Sequence, residues 1–442
     1  MTFARSLAAL AGLAVAGLTP VGLAVPVAQA ETLADALAQA EVNNPRLAAS
    51  RADTDIAREG LEQARAGGRT SVALTGSAGA QYTDTTGPFD FNTGETATSS
   101  VQVEATKPVF TSGRITAGIR RAEAGISAAD QALVEARQAL FADVVTAYMD
   151  VRRDLEQLRI RANNVNVALE QTRAARDRFE VGVVTRTDVA LAEARLEGAR
   201  ANEAAAQAQL ETSRAAYAEL VGALPEMLVP PPPLPALPET LDEALAIALD
   251  TNPGLASARA NVRAAMEAVD AAEAEKGLTV ELVGRAGYQE TYTDEIRDTQ
   301  VTALARGSLP FWNGGLVNSR VREARSQREQ ARLQVQTVER QIRARLASAW
   351  YGYQAALRSI ESSRRQVDAA EIAYEGSKEE LSVGTRTTLD VLDAEQDLFE
   401  ARLAVVSAER DAYVAATQLL QVMGRLERDQ FRPDGMEAPG QD

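Results

Sequence analysis

Two short segments hold the residues best placed for chemistry. Residues 381–393 read LSVGTRTTLDVLD, with Arg386, Asp390 and Asp393 following a glycine turn. Residues 179–189 read FEVGVVTRTDV, with Asp188 in the place that Asp390 takes in the later segment. Asp390 and Asp393 are three positions apart, so on a helix both can point one way and together attract cations. Asp188 and Asp390 also close the patterns Thr185-x-x-Asp188 and Thr387-x-x-Asp390, which cap a helix start. Capping and charge presentation are compatible for these two; Asp393 is less explained by capping. Covalent or acid–base catalysis has little to work with, because the 442 residues include no Cys and no His. Their absence removes thiol nucleophiles, imidazole bases, disulfides and the usual zinc and haem ligands. Carboxylate-only chemistry remains, but no acidic pair stands near a substrate-shaped motif, so no catalytic residue, metal or cofactor is assigned.

These segments are positioned by long helices. From Val321 the apolar positions Ala324, Ala331, Val335, Val338, Ile342, Leu346, Ala349, Tyr353, Ala356, Ile360, Val367, Ala370 and Tyr374 step almost throughout by three and four, and Ile119, Ala122, Ile126, Ala129, Leu133, Ala136, Leu140, Ala147, Val151, Leu158, Val165, Ala168 and Ala175 keep the same register in the first half. Such spacing is a coiled-coil seam. Residues 113–179 and 315–381 would each make a rod of roughly 100 Å at about 1.5 Å per residue. Arg328 and Arg345 interrupt the second seam and are read as reaching water or pairing with acids. Shorter helices near 45–66, 186–222, 253–276 and 388–424 stack end to end beside the rods. Each half thus builds a wall of two columns, one continuous and one in two pieces. At the turns between columns, Gly182 and Gly384 permit the sharp reversal.

The chain reads as an internal duplication. A capping box at Thr32 to Asp35 and an Asn44-Pro45 helix start recur at Thr240 to Glu243 and Asn252-Pro253, 208 residues later, whereas the glycine turns lie 202 apart. Most of the difference is assigned to a polar loop, 84–96, longer than its counterpart near 292–298. The first repeat is expected over 31–224 and the second over 240–424. A proline-rich tether, 225–239, joins them, and residues 425–442 are expected as a flexible tail. Residues 1–30, with Arg5, an apolar run and Ala28-Gln29-Ala30, read as a cleaved signal peptide.

Between the helices the period changes to two. Val72, Leu74, Gly76, Ala78, Ala80 and Tyr82 alternate with polar residues, as do Val101, Val103 and Ala105. Strands are expected near 71–83, 96–109, 278–291 and 299–310. Tyr82 and Tyr288 at one end, with Phe110, Phe311 and Trp312 at the other, bracket the apolar face as the aromatic girdles of a membrane strand do. An ordinary two-sided sheet in a soluble protein is the alternative. The formal charge of −16, or −17 without Arg5, argues against nucleic acid as a partner. After the signal peptide, no apolar run approaches the ~20 residues of a membrane-spanning helix.

Four strands cannot close a barrel, which takes about eight, but three chains would supply twelve. The segments TLADALAQAEVNNP and TLDEALAIALDTNP, KPVFTSGR and LPFWNGG, and above all VGTRTTLDVLDAEQDLFEAR resemble the TolC family of outer-membrane efflux proteins over about residues 31–424. That resemblance implies a mostly α-helical fold with a membrane β-barrel: a homotrimer sharing a 12-stranded barrel in outer-membrane lipid, continued by a periplasmic α-helical barrel. It further implies a passive exit duct for drugs, small molecules or proteins. A periplasmic adaptor and an inner-membrane RND or ABC transporter would be its partners. By motif position Arg386 and Asp188 become pairing residues of a periplasmic gate, and Asp390 and Asp393 an acidic ring. Val181, Gly182, Val183, Val383, Gly384 and Thr385 become adaptor contacts. Leu381 stands where the family has a gate tyrosine, so one expected hydrogen bond is lost. The rival reading from another class is an exported structural coiled-coil assembly protein.

Overall fold

The computed structural model describes residues 30–84, 94–233, 236–292 and 296–431. The signal peptide up to residue 29, the loop segments 85–93 and 293–295, residues 234 and 235 of the tether and residues 432–442 of the tail lie outside the described residues. In chain order the elements are β1 (Ala30–Glu31), α1 (Leu33–Asn43), α2 (Pro45–Ala66), β2 (Ser71–Thr83), β3 (Gly94–Phe110), α3 (Arg114–Glu180) and α4 (Arg186–Val221). Then come β4 (Met227–Leu228), α5 (Leu241–Thr251), α6 (Pro253–Ala274), β5 (Thr279–Thr291), β6 (Ile296–Ser308), α7 (Leu316–Ser382), α8 (Thr388–Val422) and a 3-10 turn at Arg428–Phe431.

Local chemistry sets the helix starts. The Thr32 hydroxyl accepts from the Asp35 amide at 3.2 Å while the Asp35 carboxylate accepts from the Thr32 amide at 3.1 Å. Asn44 caps α2 through the Arg46 amide at 2.9 Å, and Asn252 caps α6 through the Leu255 amide at 3.1 Å, each just before a proline. Helices α3 and α7 are 67 residues each, rods of roughly 100 Å. Helix α3 packs against α2 and α4 on one flank and α6 and α8 on the other, while α7 packs against α6 and α8. The result is four columns, of which α2 with α4 and α7 are the outer two. Buried alanines such as Ala117, Ala124, Ala128, Ala199 and Ala401 line the seams and let the helices approach closely.

The sheet runs β2-β3-β5-β6 with antiparallel neighbours. Its register gathers the apolar residues into cross-strand rows: Val72, Ala105, Gly284 and Ala303 form one, and Leu74, Val103, Ala286 and Val301 the next. On the alternate face Glu104 meets Arg285, whose Nε donates to the carboxylate at 2.7 Å. The ladder slips between Pro108 and Phe110, where proline has no N–H to give. Among the described residues strands β2 and β6 each keep one free edge. Strand bounds and the loop difference depart from the sequence expectation, β3 running Gly94–Phe110 rather than 96–109. Strand β6 begins at Ile296 rather than 299, because Arg297 is held to Glu290 of β5 at 3.0 Å although this polar stretch carries no apolar alternation. It ends at Ser308 rather than 310, since Pro310 lies beyond the ladder. Ser71 and Thr279 are 208 apart and Gly94 and Ile296 are 202 apart, so the whole six-residue difference falls between the strands of the first pair.

The largest buried side chains collect midway along the columns. There α1, α5 and the segment after α8 wrap Phe141, Tyr148, Tyr217, Leu346 and Trp350. The Tyr148 hydroxyl lies 2.6 Å from the Val229 carbonyl and 3.0 Å from that of Glu31, and the Tyr217 hydroxyl donates to the Glu31 carboxylate at 2.6 Å. These contacts hold the parallel β1–β4 pair against the columns. Residues 425–431, expected within a flexible tail, are instead part of this core: Leu426 and Phe431 are each 1% exposed, and Arg428 pairs with Glu41 at 3.3 Å. Two apolar anchors four and nine residues past the helix end were enough to dock the segment.

Candidate functional site

The two glycine turns lie at the end of the columns away from the sheet. Gly182 and Gly384 both have φ of 78°, the left-handed conformation that costs other residues. Around Gly182 the Val183 amide donates to the Arg178 carbonyl at 2.9 Å, and around Gly384 the Thr385 amide donates to the Glu380 carbonyl at 3.0 Å. The turns thus expose Val181, Val183 and Val383, each more than 70% accessible, and nothing among the described residues covers them. Both following helices open on full capping boxes. The Thr185 amide and hydroxyl each donate to Asp188 at 2.8 Å, and those of Thr387 donate to Asp390 at 2.9 and 2.7 Å. These hydrogen bonds hold both carboxyls below the ordinary aspartate value.

The other two expected gate residues find partners that the sequence reading missed. Arg386 Nε donates to Glu380 at 2.8 Å within its own turn, so in the single chain it does not reach Asp188. Glu380 is six residues back along the same hairpin, and the tight turn folds it onto the arginine. Asp393 accepts from Arg195 of α4 at 2.7 Å, and the same guanidinium donates to the Leu392 carbonyl at 2.9 Å. Arg195 follows Asp188 by two helical turns on the same hairpin.

Between the two hairpins a polar seam follows α3 and α8. Asp150 binds Arg410, Gln157 donates to Ser407 at 3.1 Å, Arg161 lies 5.7 Å over the Phe399 ring, and Gln171 donates to Glu395. Burial pushes the Glu395 carboxyl up. Near the tip the seam opens into a groove of about 220 Å³ lined by Val184, Asp188, Tyr374, Leu381 and Val391. Leu381 and Asp188 therefore line one groove, and no hydrogen bond joins them.

At the opposite end the sheet carries its apolar rows in the open. Val72, Leu74 and Val301 are 67, 70 and 79% exposed. Tyr82 and Tyr288 lie on this face, Tyr288 in the row of Val101 and Gly76 and Tyr82 six positions further along β2. Phe110 ends β3, while Phe311 and Trp312 follow β6 and are almost fully exposed. Among the described residues no helix is long and apolar enough to cross a membrane, and no group of acids is arranged to hold a metal ion. One end is thus an apolar sheet with free edges and the other a charged turn, joined by rods.

Comparison with known proteins follows this geometry along its length. The model of a family described as outer membrane efflux protein matches residues 36–223 and 244–425. Outer membrane efflux protein BepC of Brucella suis biovar 1 (strain 1330) is 34% identical over 412 residues, 91% of this chain and 88% of its own. Outer membrane protein TolC of Escherichia coli (strain K12) is 27% identical over 424 residues, 90% of this chain and 83% of its own. Among solved structures, CusC, described in connection with transmembrane channel formation, superposes with a TM-score of 0.79 over 89% of this chain and 92% of that one, at 18% identity.

Proposed function

Because the chain belongs to the outer membrane efflux protein family and is an outer-membrane protein with a large periplasmic helical part, we propose that three copies form a passive duct. A periplasmic adaptor and an inner-membrane RND or ABC transporter deliver its cargo, and the chain itself has no catalytic site. The observation that carries this is the four-stranded sheet, apolar on one face and unpaired at both edges, continuous with rods of roughly 100 Å. Edge pairing among three sheets gives a closed twelve-stranded cylinder, which leaves no strand edge in lipid. Tyr82, Tyr288, Phe110, Phe311 and Trp312 would then meet the two membrane interfaces.

In this reading the far end closes the duct. Asp188, Arg386, Asp390 and Asp393 from three chains crowd a narrow mouth, and untwisting of the second hairpin opens it. The exposed turn residues Val181, Gly182, Val183, Val383, Gly384 and Thr385 meet the adaptor, which supplies the cover that Val181, Val183 and Val383 lack. Cargo choice, whether drug, small molecule or protein, rests with the transporter, since a wide aqueous duct needs little binding specificity of its own.

The test is extraction and reconstitution. The protein should leave outer membranes only with detergent, migrate as a trimer and give discrete conductance steps in planar bilayers. A water-extractable protein without conductance would instead fit an exported coiled-coil assembly protein. Cross-linking from position 183 or 383 in cells identifies the adaptor.

A further inference from the structure

Asp393 is a charge expected in the mouth of the duct, yet in this structure it is spoken for. Arg195 sits on α4 of the first hairpin, two helical turns or roughly 10 Å beyond Asp188. Its two terminal nitrogens divide their work, one donating to the Asp393 carboxylate at 2.7 Å and the other to the Leu392 main-chain carbonyl at 2.9 Å. The arginine side chain is 30% exposed, and it reaches α8 beside a second tie, from Gln171 of α3 to Glu395. Both helices of the first hairpin therefore grip one turn of α8, residues 392–395.

A fork that binds a side chain and a backbone atom together fixes register as well as proximity. A carboxylate alone could follow a sliding helix by changing rotamer. The Leu392 carbonyl cannot, so displacement of α8 relative to α4 breaks both bonds. While the bonds hold, the arginine cancels the charge of Asp393 locally.

We propose that Arg195 is a latch residue that ties the two hairpins of one chain together and masks Asp393 until the duct opens. Release of the latch then does two things at once: it frees α8 to move, and it presents an unpaired carboxylate to the lumen. Opening and cation attraction become one event. This inference rests on the channel reading above.

The experiment compares Arg195→Met, Asp393→Asn, the double variant and the swap Arg195→Asp with Asp393→Arg in planar bilayers. Methionine keeps much of the aliphatic stem and removes the charge. Arg195→Met loses both bonds and should raise the resting open fraction by about fivefold, whereas Asp393→Asn keeps the bond to the Leu392 carbonyl and should raise it less. They should part on selectivity: Arg195→Met increases preference for cations and block by divalent ions, whereas Asp393→Asn decreases both. The double variant should open no more than Arg195→Met, and the swap, which restores the ion pair but not the bond to the Leu392 carbonyl, should return the open fraction part of the way toward that of the parent. A conducting parent with an Arg195→Met variant indistinguishable from it in open fraction and selectivity overturns the latch. A parent that never conducts overturns the channel reading instead, so the two failures are separable.

Discussion

Arg410 of α8 grips Asp150 of α3 with two nitrogens, Nε at 2.8 Å and a terminal nitrogen at 3.2 Å. Both side chains are less than one-quarter exposed, and the pair stands at mid-column, where the first and second hairpins join. Next to it Asp154, 2% exposed, takes Arg153 Nε at 2.8 Å and the Ser213 hydroxyl. This is a partly desolvated network, in which charged hydrogen bonds count for more than at the surface. Arg410→Met should lower stability by about 2 kcal/mol, read as a fall in Tm of the detergent-solubilised protein. Arg410→Lys should recover only part, since an ammonium lacks the planar fork. Equal Tm values for parent and Met variant would show that Arg153, 2.8 Å from Asp150, suffices alone.

Arg386 and Glu380 are each about half exposed, so their bond contributes under about 1 kcal/mol to stability and its loss should be felt in gating. Arg386→Ser removes the cation from the proposed mouth and should raise conductance of the resting channel. Glu380→Gln frees Arg386 for acids of a neighbouring chain and should leave the channel as closed as the parent or more so. Single-channel recordings of the two variants separate the roles. If Arg386→Ser stays as closed as the parent, the lock lies elsewhere, with the groove lined by Leu381 the first place to look.

The capping boxes give the turns a pH dependence with a definite sign. Hydrogen bonds from Thr185 and Thr387 depress the Asp188 and Asp390 carboxyls below 3.8. Their contribution is thus complete above the unfolded value and is lost as pH falls through the lower folded one. Glu395 behaves oppositely. Burial raises its carboxyl above 4.5, so its ionised form weakens the seam at neutral pH and the penalty disappears on protonation. Glu395→Gln should therefore stabilise the seam at pH 7 and make no difference below about pH 4. Thr387→Ala should cost about 1 kcal/mol of local stability. Amide exchange along the start of α8, followed from pH 7 to pH 3, reads both effects.

The architecture was legible because its signals are periodic and repeated. Seam residues such as Ile342 and Leu346, the caps at Thr32, Asn44, Thr240 and Asn252, and the alternation from Val72 to Tyr82 each announce an element by spacing alone. Partners within the tips were not legible. Arg386 takes Glu380 and Asp393 takes Arg195 because the turn and the crossing of α4 with α8 bring them together, and neither distance is written in a period. The tail was misjudged for a related reason. Leu426 and Phe431 are isolated apolar residues in a polar stretch, and their burial depends on a core assembled from α1, α5 and α8 far apart in sequence.

The outer columns carry unspent charge. Among the described residues, exposed Arg340 and Arg343 of α7 have no hydrogen-bond or ion-pair partner, nor do exposed Asp53 and Glu59 of α2. A single rung crosses the chain at this height: Arg58 with Asp130 at 3.7 Å, Ser257 with the Ala128 carbonyl at 3.1 Å, and Arg259 with Glu339 at 3.7 Å. The free arginines flank one end of the rung and the free acids the other. Ring closure about a threefold axis would bring α7 of one chain to α2 of the next at matching height, with opposite charges facing. Reversing Arg340 and Arg343 to Glu should weaken the trimer by at least about tenfold in dissociation concentration, and more at low salt than high. Adding Asp53→Arg and Glu59→Arg should restore it. Native gels of the detergent-solubilised variants give the answer: trimers unaffected by the first pair, or not rescued by the second, would mean that the columns meet in another register.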